Sequence, residues 1–207
     1  MTLSASEVNK LKYAPTVEGV LPVFLERWSA RSFSEHEVAP ADLARLFEAA
    51  RWAASSGNQQ PWRFLLGTRN SITHNKIAST LAGFNKGWAP NAPVLILGVA
   101  LAKNPRTGAP NAYALYDLGA ASSYLTLQAA ALGMVTHQMG GYDHDAARQL
   151  LEIPESYALG SVIALGYQGE PEALVNEELI ARETALRERK PLKELVFSAW
   201  GEPANLD

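Results

Sequence analysis

The sequence predicts one domain in which helices and strands surround a single central sheet, in an α+β or α/β arrangement. Residues 93–100 are apolar at every position and residues 158–167 at most, as in strands buried on both faces. Segments of helical periodicity are interleaved with them. The chain has 207 residues, 47% of them apolar and 19% charged, which suits one domain with a substantial core.

The N-terminal part is predicted to be a loose arm over residues 1–15, followed by two helices. Pro22 suits the first turn of a short helix that continues over residues 23–27. A longer helix begins at Pro40, because apolar residues recur from there to Ala53 at 3.6-residue spacing. The later elements are predicted, in order, as a strand at 62–67, a helix at 71–81, a strand at 93–100, a long Ala- and Ser-rich helix at 112–134, a strand at 135–139, a helix at 143–151, a strand at 158–167 and a polar helix at 176–189.

Composition narrows the function classes. The net charge of −3 disfavours a nucleic acid as the main partner, because duplex binding needs a basic face. The chain has no cysteine, which rules out disulfides, thiolate catalysis, Cys-ligated zinc and iron–sulfur clusters. No apolar run is long enough to cross a bilayer, and residues 1–15 lack the apolar core of a signal peptide. We therefore expect a cytoplasmic protein without membrane contact.

Common catalytic motifs are missing from the sequence. There is no G-x-G-x-x-G, no P-loop and no G-x-S-x-G. The four histidines lack metal-ligand spacing, and no carboxylate pair has a distinctive setting. We therefore predict no metal site and no catalytic side chain of the chain's own, so that an enzymatic reaction would depend on a cofactor.

The stretch from Arg27 to Arg31 alternates two guanidiniums with a hydroxyl. In an extended chain Arg27, Ser29 and Arg31 would point the same way. Two planar forks and a hydroxyl suit a phosphate together with a second electron-rich group. The alternative is two solvated arginines at a helix end, and residue-level reasoning leaves both open.

A second informative stretch covers residues 54–64. Its small hydroxyl residues, with Gly57 and Asn58, predict a turn of exposed backbone that can reach a flat polar heterocycle. The alternative is a helix C-cap and a loop into the next strand, which Gly57 and Asn58 also favour.

Together, R-x-S-x-R-x-F and the later S-S-x-N-x-Q-P-W-x-F resemble the nitroreductase family of FMN-dependent oxidoreductases. Three weaker stretches match in the same order: residues 84–85 before the buried strand, residues 139–143 after the short strand, and residues 187–192. The resemblance extends from about residue 20 to residue 200.

This resemblance implies an α+β fold with a mixed, mainly antiparallel sheet wrapped by helices, over one domain of residues 1–207. It further implies an intertwined homodimer with an FMN in each of two interface clefts, where helix 112–134 and a tail at 190–207 meet the partner subunit. The implied reaction is ping-pong transfer from NAD(P)H to nitroaromatics, quinones or related electron-poor acceptors. Alternatives are another reaction on this fold (enal or aldehyde reduction, dehalogenation, flavin fragmentation) or flavin binding without turnover.

The resemblance also implies which residues hold FMN. Arg27 and Ser29 would bind its phosphate, together with Arg187 and Arg189. Arg31 would lie by N1 and O2 of the ring, where a fixed cation stabilises the reduced state. The other predicted cofactor-binding residues are Trp28, Ser55, Ser56, Asn58, Gln60, Asn85, Met139, Gly140 and Gly141.

The resemblance also implies where each of these residues would lie relative to FMN. Asn85 would bond the pyrimidine edge, residues 139–141 would lie near N5, and residues 55–60 would reach across from the partner subunit. The chain departs from some family members by having Gly140 in place of an acidic residue and Trp88 in place of a lysine, which leaves Arg31 as the main cation at N1. The aromatic candidates to line the acceptor site, or simply to pack, are Trp88, Tyr113, Tyr116 and Tyr142.

Overall fold

A four-stranded antiparallel sheet forms the centre of the computed structural model, which describes residues 3–206. The strands are β1 (Trp62–Thr68), β2 (Val94–Leu101), β3 (Val135–Met139) and β4 (Tyr157–Gly166), in the spatial order β1-β2-β4-β3. All three ladders are antiparallel. The expected α+β class with a mainly antiparallel sheet is confirmed.

Seven α-helices and a small C-terminal hairpin accompany the sheet within residues 3–206. The helices are α1 (Ala5–Lys12), α2 (Pro22–Glu26), α3 (Pro40–Arg51), α4 (Ile72–Thr80), α5 (Ala114–Ala131), α6 (His144–Leu150) and α7 (Glu177–Thr184), and the hairpin pairs β5 (Phe197–Ala199) with β6 (Glu202–Pro203). Side chains cap two of these helices: Ser71 accepts a hydrogen bond from the backbone N–H of His74, and Asp143 accepts one from that of Ala146.

The sheet separates two hydrophobic cores, one on each face. Leu95 and Leu97 of β2 point into a core that also contains residues of α1, α4, α6 and α7. The alternate residues Val94 and Ile96 point into a second core, shared with α3 and α5. This two-sided burial explains why β2 is apolar throughout.

The expected loose N-terminal arm is wrong over residues 5–12. Residues 5–12 form α1, because Ser4 and Glu7 make a reciprocal capping box and Val8 is fully buried in the core. The spacing of Ser4 and Glu7 in the sequence already carried this signal. Residues 1–2, the start of the predicted arm, lie outside the described residues, as does residue 207 of the predicted tail.

Two predicted helices are shorter in the structure. The long helix is confined to α5, and the polar helix predicted to reach residue 189 ends at Thr184. Ala185 is extended because the buried ammonium of Lys12 takes the carbonyl groups of Arg182 and Ala185 as acceptors. Arg187 then donates to backbone carbonyls of α1 and α2, which draws the chain alongside them.

Candidate functional site

The Arg27–Arg31 stretch is extended and lies beside β3. Ser29 pairs in parallel with Thr136 at the start of that strand. Trp28 and Ala30 are buried, whereas Ser29 is exposed and both arginines are partly exposed. The predicted alternation is therefore confirmed, and Arg27 donates to the Ser29 hydroxyl at 3.4 Å. Trp28 faces inward, and its indole donates to Asn9 Oδ1 at 2.9 Å.

Arg187 and Arg189, from the far end of the chain, lie near Arg27 of this stretch. Burial lowers the pKa of Arg27, and the charge of Arg189 lowers it further. Burial also lowers the pKa of Arg187, with smaller contributions from Arg189 and Arg27. None of the three pairs with a carboxylate anywhere in residues 3–206. A cluster of like charges that lacks an acidic partner is suited to a polyanion such as a phosphate.

Asn85 and the Gly140–Gly141 turn come together at the end of β3. The Asn85 amide donates to the Gly141 carbonyl at 3.0 Å, and a Cβ atom at Gly141 would lie only 2.9 Å from that amide nitrogen. Gly140 is exposed and has open space around it. Met139 is buried in the core, so only its backbone is available to a ligand.

The loop of residues 55–60 lies far from the arginine cluster within one chain. The backbone N–H of Ser56 donates to Asp117 Oδ2 at 3.1 Å, near the start of α5. Arg27 lines a small cavity with Ala130 at the other end of that helix. These positions on α5 are separated by roughly 20 Å at 1.5 Å per residue. Within one chain the two sequence motifs therefore lie toward opposite ends of α5.

The conformation of this loop is unusual. Gly57, Asn58 and Gln60 have φ angles of 56°, 54° and 49°, in the left-handed region. The loop is held by its own side chains: the Gln60 N–H donates to the Ser55 hydroxyl, and the Gln60 amide donates to Asn58 Oδ1. The exposed backbone turn predicted from the sequence is present.

His137 is a site residue that the sequence did not reveal. Its Nδ1 bonds the Ala30 carbonyl at 3.0 Å and must therefore carry the hydrogen. Its ring centroid lies 4.7 Å from that of Trp88. Burial lowers the His137 pKa to about 4, and the charge of Arg31 adds to the effect. The imidazole is therefore neutral at pH 7 and braces the arginine stretch against β3. Nothing in the sequence distinguished it from the other three histidines.

The open questions about aromatic residues are partly resolved. Trp88 is 1% exposed and packs in the core with Phe33 and His137. Tyr142 is buried and donates to the Gly160 carbonyl at 2.7 Å, and burial raises its pKa to about 12. Tyr113 and Tyr116 are exposed.

We expect His137 to make the unfolding free energy pH-dependent. The unfolded chain binds a proton on this imidazole below pH 6.5, the folded chain only near pH 4, so stability falls as the pH drops through that window. The contribution is on the order of 3 kcal/mol. His137→Asn should reduce the difference between the urea midpoints at pH 7 and pH 4.5. His36 is exposed, so His36→Asn is the control. An equal change of the urea midpoint with pH in both variants would contradict the assignment of this pH dependence to His137.

In residues 3–206 no helix is long and apolar enough to span a bilayer, and no group of three or more His, Asp or Glu residues could hold a metal ion.

One family model and several known proteins match this chain. A family model described as the Nitroreductase family matches residues 25–167. A protein of Archaeoglobus fulgidus, provisionally named as an NADH dehydrogenase/NAD(P)H nitroreductase, is 31% identical over 155 residues, which cover 73% of this chain and 86% of the relative. An NADH dehydrogenase of Thermus thermophilus is 28% identical over 195 residues, covering 74% and 92%.

A solved structure is also similar over the whole chain. It is a crystal structure described as an oxidoreductase containing FMN, with a TM-score of 0.84 and 30% sequence identity. The match covers 99% of this chain and 100% of the solved one.

Proposed function

The chain belongs to the nitroreductase family, and on that premise we propose that it is an FMN-dependent enzyme that transfers electrons from NAD(P)H to nitroaromatics, quinones or related electron-poor acceptors by a ping-pong mechanism. The observation that carries the proposal is the cluster of Arg27, Arg187 and Arg189, three adjacent cations without an acidic partner in residues 3–206. The FMN in the similar solved structure supports the choice of cofactor.

The arginine cluster would hold the cofactor phosphate. FMN, when bound, accepts a hydride equivalent from the nicotinamide and passes electrons to the acceptor. Arg27, Arg187 and Arg189 offer planar donors to a phosphate, and the exposed Ser29 hydroxyl lies beside Arg27. A bound phosphate dianion would also relieve the repulsion among the three guanidiniums. The affinity for FMN would therefore depend on how close these charges lie to one another.

The ring end of the cofactor would be held by Arg31, Asn85 and the Gly140 backbone. Arg31 and Ser29 lie on the same side of the extended stretch, and the side chain of Arg31 is 22% exposed, which leaves it able to contact a ligand. Gly140 presents an exposed backbone with open space where a side chain would project. Gly140 would thus let a flat ring approach the backbone closely.

We propose that the site is completed in a homodimer. Residues 55–60 lie at the far end of α5 from the arginine cluster and would act in the partner's site. Tyr116 of α5 is 77% exposed and Trp200 of the C-terminal hairpin is 96% exposed, amounts of apolar surface that a second copy would cover.

Steady-state kinetics test the proposed reaction. With NAD(P)H and a quinone as varied substrates under anaerobic conditions, the reciprocal plots should be parallel lines. Intersecting lines would contradict the ping-pong order. A holoprotein whose FMN is not bleached by either nicotinamide would instead be a binding protein without turnover.

Arg31→Ala is expected to lower the midpoint potential of bound FMN. Removing the cation withdraws stabilisation from the more negatively charged, reduced state, so reduced FMN should lose more affinity than oxidised FMN. Arg27→Ala provides the contrast, because a phosphate contact affects both redox states equally. The potential is measured by equilibration with a reference dye, and an unchanged value in Arg31→Ala would count against this role.

A further inference from the structure

Glu183 is a carboxylate of α7 that is 0% exposed, although the flanking residues of the helix, Arg182 and Thr184, are not buried. Burying an ionised carboxylate is costly unless it is paired and hydrogen-bonded. Glu183 therefore needs hydrogen-bond partners, and it finds them at Arg31, at the end of the arginine stretch, and at Ser32 and Gln168 beside it.

The two carboxylate oxygens have different partners. Oε1 accepts from the backbone N–H of Arg31 and of Ser32, each at 3.0 Å, and from the Gln168 amide at 3.1 Å. Oε2 shares the Arg31 N–H at 3.0 Å and lies 3.9 Å from Arg31 Nη1. All of these neighbours are donors, so the arrangement suits the ionised carboxylate, which is acceptor-only.

These contacts fix the backbone that carries Arg31. The Ser32 hydroxyl adds a bond to the Glu170 carbonyl, so the residue after Arg31 is held on two sides. Among residues 3–206 the Arg31 guanidinium makes no hydrogen bond, and the one carboxylate within 4.0 Å of it is Glu183, at 3.9 Å from Nη1. Arg31 thus has a fixed backbone and a guanidinium that can still reach a ligand.

The same carboxylate acts on the charge of its neighbours. Burial lowers the pKa of Arg31, and Glu183 opposes that effect. Burial likewise lowers the pKa of Lys12, and Glu183 again opposes it. The buried Glu183 carboxylate therefore lies near two cations, Arg31 of the candidate site and Lys12 of α1.

We propose that Glu183 is the positioning residue of Arg31: it anchors the Arg31 backbone, and its negative charge offsets part of the positive charge that Arg31 presents to the flavin ring. The inference rests on the proposed function, since it assigns Glu183 to an FMN site. Its consequence is that the Arg31–Glu183 pair sets a lower flavin potential than Arg31 alone would set.

Glu183→Gln separates the two roles. With its amide oxygen at the Oε1 position, the glutamine retains the three hydrogen bonds made there, whereas its amide nitrogen at the Oε2 position cannot accept from the Arg31 N–H, and the charge near Arg31 is lost. We expect reduced FMN to gain about tenfold in affinity relative to oxidised FMN, which for a two-electron couple is a rise of about 30 mV in midpoint potential. Glu178→Gln is the matched control: it removes one charge from the same helix, in an exposed pair with Arg182, and should leave the potential unchanged.

The signs of the shifts decide the outcome. A rise in Glu183→Gln opposite to a fall in Arg31→Ala supports the proposal. No shift, a fall, or an equal rise in Glu178→Gln overturns it. Where Glu183→Gln does not fold, Glu183→Asp is the second variant. Its shorter side chain keeps the negative charge but moves it away from Arg31, so the midpoint potential should rise by less. An unchanged potential in Glu183→Asp would also overturn the proposal. Wild-type protein that binds no FMN would refute the proposed function itself, which is a separate result.

Discussion

Arg27→Ala is expected to raise the Kd for FMN by about 10- to 150-fold, because a charge-assisted bond of about 1.5–3 kcal/mol to the phosphate is lost. The apoprotein should not lose stability in parallel. Arg27 lies among like charges, and Arg189 already lowers its pKa, so removing it relieves repulsion. Quenching of FMN fluorescence on titration with apoprotein measures the Kd, and thermal unfolding of the apoprotein measures stability.

Arg45→Ala is the control for this result. Arg45 is an exposed arginine of α3 that pairs with Asp42 on the helix surface, so its loss should change the Kd little. An unchanged Kd in Arg27→Ala, or an equal weakening in both variants, would contradict the assignment of the cluster to the phosphate.

Trp88→Ala is expected to cost about 3–5 kcal/mol of unfolding free energy, the usual range for emptying a buried aromatic site. Trp88 is 1% exposed and stacks 6.3 Å from the ring centroid of Phe33, two residues after Arg31. The cavity would therefore lie beside Phe33 and beside His137, which bonds the Ala30 carbonyl of the arginine stretch. Urea unfolding of the apoprotein measures the loss.

Ile72→Ala is the control for the Trp88 variant, since Ile72 is 75% exposed at the start of α4 and should cost less than about 1 kcal/mol. A loss of similar size in Trp88→Ala would mean that Trp88 is not a core residue and would restore it as a candidate for the acceptor site.

Local pattern predicted much of the fold. The continuous apolar runs identified β2 and β4, and the helices predicted at 71–81 and 143–151 correspond to α4 and α6, which Ser71 and Asp143 cap. The predictions failed at helix ends whose positions depend on tertiary contacts. Helix α7 ends at Thr184 because Lys12, far away in sequence, takes its terminal carbonyls. Helix α1 was missed although Ser4 and Glu7 had the spacing of a capping box.

The sequence predicted some parts of the candidate site and missed others. The period of an extended chain predicted the shared direction of Arg27, Ser29 and Arg31, and the alternating burial of the stretch agrees with it. The meeting of Arg27 with Arg189 was expected only from the family resemblance, because no local signal links residues so distant in the chain. Glu183 and His137 could not be found at all: a glutamate in a polar helix normally faces solvent, and its burial depends on backbone N–H groups that the sequence does not place.

The visible absorption spectrum of the purified protein, recorded anaerobically before and after addition of NADH or NADPH, tests the central claim most directly. We predict a yellow protein with the absorption of bound FMN. At least one of NADH and NADPH should bleach this absorption, and a quinone should then restore it. A colourless protein that takes up no added FMN would contradict the assignment of the arginine cluster, and with it the proposed function.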